Sequence, residues 1–134
     1  SWPALRYRGP ILQRAPAMKH VCSMTLVLAA TAASAQPQQI RLDIAAGKVG
    51  EVCMPLLAGD TLAWHFESSA AADFNLHDHV GTKVNMPVQR KAVKRERRQH
   101  SVERTNDWCL TWTAPHANGI TVTGAWQVKN RAAR

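Results

Sequence analysis

From residue 39 onward, apolar and polar positions alternate in short runs with a period of two, and turn residues separate the runs. Ile40, Leu42 and Ile44 oppose Arg41 and Asp43; Leu62, Trp64 and Phe66 oppose Ala63, His65 and Glu67. Phe74 and Leu76 oppose Asn75, His77 and His79, and Trp108, Leu110 and Trp112 share one parity near the end of the chain. Because successive side chains of a strand leave opposite faces, each run predicts a strand with one face buried. The expected strands are 39–44, 51–57, 61–68, 73–79, 83–88, 107–113 and 119–128, with a further hairpin strand returning through 100–104. Turns are expected at 46–50, 58–60 and 114–118, and the small residues 69–72 read as a linker between two strands of a hairpin. No run after residue 36 has helical period. Seven or eight short strands with frequent turn signals predict an all-β fold, an antiparallel β-sandwich.

The N-terminal third reads differently. Met18-Lys19-His20 precedes the apolar run 21–33, and Ala33-Ser34-Ala35 precedes Gln36. This is the basic, apolar and small-x-small order of a secretory signal peptide cleaved after Ala35. Residues 1–17 are set aside as an upstream extension, 18–35 as the signal peptide, and 36–134 are expected to form a single β-domain. Cys22 leaves with the signal. The remaining two cysteines, Cys53 and Cys109, are an even pair in a chain bound for the periplasm or the medium, and they are expected to form a disulfide. Cys109 lies on the parity opposite to Trp108, Leu110 and Trp112. Either the bridge crosses an edge, or a bulge near Asn106-Asp107 resets the register.

The net charge of +8 invites a nucleic-acid reading until its placement is considered. Residues 36–134 carry 13 Lys+Arg and 9 Asp+Glu, and the run RKAVKRERR at 90–98 alone is +5. The remainder is close to neutral. Arg90, Lys91, Lys94, Arg95, Arg97 and Arg98 are therefore expected on a solvated loop or hairpin tip, with contact to an anionic envelope surface as the functional alternative. No aromatic residue interleaves with the run, so nucleic acid is not an expected partner. No transmembrane segment is expected after residue 35.

Histidines carry the remaining chemistry. His77 and His79 are two apart in one expected strand and share a face; His65 has the same outward parity on the preceding one. If 61–68 and 73–79 formed a hairpin opposing His65 to His77, three imidazoles would converge in a set suited to Cu or Zn. Met86 and Asp78 are candidate fourth ligands, although Asp78 has the opposite parity. Half-exposed histidines on a solvent face are the plainer reading. There is no G-x-S-x-G, no free Cys–His pair once the cysteines are oxidised, and no glycine-rich phosphate loop, so no catalytic residues are assigned.

The segments Cys53–Thr61, Trp64-x-Phe66, Asp73–Leu76, Asp107–Trp112 and Ile120–Gly124 together resemble a GOLD-type (emp24-like) β-sandwich. The likeness extends to small exported bacterial proteins with an F-N-[LI]-H-x-H stretch followed by a W/Y-C-x-x-W segment. It covers about residues 40–128. It implies a sandwich locked by Cys53–Cys109 and a role in binding rather than catalysis. The trafficking role of the eukaryotic cargo receptors is not carried over. The expected function is thus an exported binding module, with a periplasmic copper or zinc protein and an envelope-associated structural protein as alternatives.

Overall fold

The computed structural model describes residues 36–131; the expected extension 1–17, the signal peptide 18–35 with Cys22, and residues 132–134 lie outside it. Six strands follow one another: β1 (Gln38–Ile44), β2 (Val49–Leu56), β3 (Thr61–Val80), β4 (Lys83–Ser101), β5 (Asn106–Thr113) and β6 (Ile120–Lys129). All pairings are antiparallel, as expected for the sandwich, and the Cys53–Cys109 bridge is formed. Among the described residues, no helix is long and apolar enough to cross a membrane.

Two of the expected boundaries are absent. The runs 61–68 and 73–79 are not two strands of a hairpin but one 20-residue strand, β3. Its partner β4 joins 83–88, the basic run and 100–101 into a second long strand. On one edge of β3, Thr61–Ser68 pairs with β6 and Asp73–Asp78 pairs with β5; β4 accompanies the other edge. The change of partner falls at residues 69–72, Ser-Ala-Ala-Ala, where small side chains let the strand bend. Residues 69–72 are therefore not a linker between hairpin strands but a corner through which one strand continues.

Pairing with β4 survives the corner through irregularities. Between Glu67↔Arg95 and Ala72↔Val93, β3 holds the extra residues. Between Ala72↔Val93 and Phe74↔Arg90, β4 holds one more, and there Ala92 has φ +53. The N–H of Ala92 donates to Asp73 Oδ1 at 3.0 Å. That bond, reinforced by Lys91 Nζ, holds the Asp73 carboxyl below its ordinary pKa.

The corner turns the even-numbered face of β3 onto itself. Phe66 and Phe74 meet with centroids 4.8 Å apart, and Trp112 contacts both at 5.3 and 5.4 Å. Trp64, Leu62, Leu76, Leu110, Trp108 and Val122 are among the residues that extend this buried interior. Close approach of β6 to β3 requires Gly124, where a Cβ would strike the His65 carbonyl oxygen.

Candidate functional site

Folding the even face inward sends the odd-numbered side chains of the two halves of β3 out from opposite layers. His65 is exposed opposite Arg97 of β4 and Ala125 of β6, whereas His77 sits opposite Cys109 of β5. The register that would have opposed His65 to His77 does not form, because both belong to one strand, twelve positions apart. The three-histidine site is therefore not assembled. His77 and His79 do share a face, with ring centroids 5.1 Å apart. Met86 is exposed on β4, and Asp78 is fully buried on the other parity.

The face bearing His77 is a small polar array. Cys53, Cys109 and His77 form one row across β2, β5 and β3; Glu51, Thr111 and Asn75 form the next. The parity question over Cys109 is resolved without a bulge. The bridge lies on the solvent side between the edge strand β2 and its neighbour β5, with Cys53 exposed. His77 Nδ1 is 2.8 Å from Asn75 Oδ1 and 3.4 Å from Thr111 Oγ1, and Thr111 Oγ1 donates to Glu51 Oε2 at 3.4 Å. Burial, aided by the neighbouring His79, pushes the His77 imidazole below its ordinary pKa. A carboxylate oxygen of Glu51 and both sulfurs lie within 4.8 Å of one another, but in the oxidised chain the sulfurs are spent on each other.

On the other half, the outward faces of β6, β3 and β4 form a trough of about 370 Å³. Ala63 and Ala125 give it a low floor, His65, Arg97, Gln99, Gln127 and Lys129 stand around it, and Arg98 reaches its rim. The basic run that flanks it is not a loop, as expected from its charge, but the middle of β4. The strand is an edge, since it pairs with β3 alone. Charged side chains and Pro87 suit such an edge, because they deter pairing with another chain.

Strand geometry also divides the run by role. Arg90 and Arg98 lie on the parity of Phe74 and Trp64, and both hold Glu96, at 3.6 and 2.7 Å; the Glu96 side chain is 9% exposed. Lys91 pairs with Asp73 at 3.3 Å. The side chains of Lys94, Arg95 and Arg97 make no hydrogen bond or ion pair with the described residues, and neither does that of Lys129. Arg95 stands across from Glu67 on the outward face, and Arg97 across from His65. Positive charge is left uncompensated at the trough.

A buried polar cluster closes the far end of the sandwich. Asp78, 0% exposed, accepts from Asn85 Nδ2 at 3.1 Å, Asn106 Nδ2 at 3.1 Å and Arg104 Nη1 at 3.2 Å. Arg104 returns the connection by accepting the Trp108 indole N–H on its carbonyl at 3.1 Å. Sequence parity had placed Asp78 on the core side but gave no hint of Arg104, which comes from the β4–β5 connection. Glu51 and Lys129 were also missed. Their only sequence signal is parity, with Glu51 two before Cys53 and Lys129 two after Gln127.

No protein family profile and no curated protein matches the chain. Among solved structures, the chain resembles Aeromonas hydrophila PliG, described as a periplasmic lysozyme inhibitor of g-type lysozyme. The TM-score is 0.53 at 16% identity, over 71% of this chain and 88% of that one. The likeness is one of fold.

Proposed function

We propose that this chain is an exported, disulfide-bonded β-sandwich that acts by binding an anionic partner surface and performs no chemistry of its own. The observation that carries the reading is the trough on β6, β3 and β4. Arg97 and Lys129 face it without a counter-ion among the described residues, while Arg90, Arg98, Lys91 and Arg104 are matched to acids. A cleft with convergent donors and unspent charge raises local counter-ion density and steers association. Three of the acids are committed to structure: Glu96 to two arginines, Asp78 to Arg104 and two amides, and Asp73 to the Ala92 bulge. The bridge fits an oxidising compartment.

The fold shared with a periplasmic inhibitor makes a g-type lysozyme the first partner to try. Lysis of bacterial cell walls by such an enzyme should slow at least tenfold with a slight molar excess of the oxidised chain. The slowing should weaken with added salt and in Arg97→Ser/Lys129→Ser. Unchanged lysis removes the lysozyme as partner. Inhibition that ignores both substitutions removes the trough. Recovery of the expressed protein in the cytosol, uncleaved and with three free thiols, overturns export.

A further inference from the structure

The Cys53–Cys109 bridge is unusual in what surrounds it. It joins two adjacent strands that are already in register from Val49↔Thr113 to Leu56↔Asn106, so it is not needed to hold the two layers together. It lies on the solvent side, within reach of a reductant. Around it the sheet places an imidazole and a carboxylate: His77 directly across from Cys109, and Glu51 beside both sulfurs.

We propose that reduction of this bridge converts the outward face of β2, β5 and β3 into a metal site for zinc or a similar thiophilic divalent ion, with Cys53, Cys109, His77 and Glu51 as ligands. Thiolate, imidazole and carboxylate are each zinc ligands, at about 2.3 Å for Zn–S and about 2.0–2.1 Å for Zn–N, and four such donors fill a tetrahedral site. The Glu51 oxygen and both sulfurs already lie within 4.8 Å of one another, so side-chain rotation alone can close them on an ion. His77 lies outside that distance, but it is directly across from Cys109, where opposed Cβ atoms are about 4.5–5.5 Å apart, so its ring has to turn towards Cys109 to complete the set.

The surrounding hydrogen bonds suit the role. His77 donates Nδ1–H to Asn75 Oδ1, which leaves the Nε2 lone pair free for a metal; Thr111 orients Glu51. Outer partners of this kind fix ligand tautomer and direction. His65 takes no part, since it projects from the other layer.

The redox step is an exchange with an external dithiol. One thiolate of the dithiol attacks a bridge sulfur, and its second sulfur then closes on the first. The dithiol leaves as a disulfide, and two electrons and two protons arrive on Cys53 and Cys109. Metal binding then releases the two thiol protons. The site and the anionic-partner trough occupy different faces, so either can fail without the other.

Cobalt titration of the exported chain beginning at Gln36, oxidised and dithiol-reduced, tests the proposal. The reduced chain should take up one ion with the charge-transfer absorption of tetrahedral thiolate–cobalt, and zinc should displace it. Affinity should be at least 100-fold above that of the oxidised chain. His77→Gln and Glu51→Gln should each cost about 10- to 100-fold, whereas His65→Gln and His116→Gln should change nothing. Absence of thiolate–cobalt bands in the reduced chain would overturn the proposal. So would equal affinity in reduced wild type and Cys53→Ser/Cys109→Ser, or indifference to His77→Gln. Should reduction unfold the chain, stoichiometric zinc should restore the near-ultraviolet tryptophan signal. Failure to restore it counts against the site as well.

Discussion

Replacing Arg104 by Ala should cost this small sandwich a large share of its stability, because Asp78 is a fully buried carboxylate whose only cationic partner among the described residues is Arg104. Breaking a buried pair by removing one member typically costs about 3–5 kcal/mol. Here Asn85 and Asn106 remain as donors, and the Arg104 side chain is itself 37% exposed. Both facts lower the figure towards the value of charge-assisted hydrogen bonds, about 1.5–3 kcal/mol. An expected loss of about 2–3 kcal/mol follows, against a total of about 5–15 kcal/mol for a native domain. With a urea m-value of about 1–3 kcal/mol/M, the midpoint should fall by roughly 1 M or more. Tryptophan fluorescence is the natural probe, because Trp108 donates to the Arg104 carbonyl and lies 6.0 Å from its guanidinium. The double-mutant cycle with Asp78→Ala should return a coupling of at least about 1 kcal/mol, as expected for partners in one network. A loss under about 0.5 kcal/mol for Arg104→Ala, or no coupling, would show that the amides alone satisfy Asp78.

Other outcomes follow from the same structure. Cys53→Ser/Cys109→Ser should lower stability by about 4 kcal/mol, the chain-entropy value for a closure across 56 positions, measured by urea unfolding of oxidised wild type against the variant. Because the His77 imidazole titrates lower in the folded chain than in the unfolded one, the unfolded state takes up more protons below about pH 6.5. Its contribution should therefore be complete above that pH and be lost as pH falls towards the folded value, and His77→Gln should flatten this part of a stability–pH curve. Arg97→Ser should leave stability within about 0.5 kcal/mol, as surface changes do, while Arg98→Ser should cost more by stripping a partner from buried Glu96; thermal melts compare them directly. Gly124→Ala should destabilise the β3–β6 pairing through collision with the His65 carbonyl, seen as faster amide exchange along both strands.

Period-two patterning was enough to specify an all-β chain, the faces of Trp64, Phe66, Phe74, Leu110 and Trp112, and the outward parity of His65, His77 and Cys109. Those properties are local, because a strand's side chains alternate whatever it pairs with. The two cysteines expected to remain after cleavage at Ala35 identified the bridge for a similar reason, since that reading needs only the number of thiols and the compartment. Partner choice is not local. Residues 69–72 carry the same small side chains whether they close a hairpin or bend one long strand, and only the packing of Phe66 on Phe74 and the exchange of β6 for β5 decide for the bend. That decision separated His65 from His77 and set Cys109 beside His77. It also divided the basic run, matching Arg90 and Arg98 to Glu96 and leaving Arg97 without an acid at the trough. Charge along the chain cannot report this division, because whether a cation is matched depends on the acid that tertiary structure brings to it.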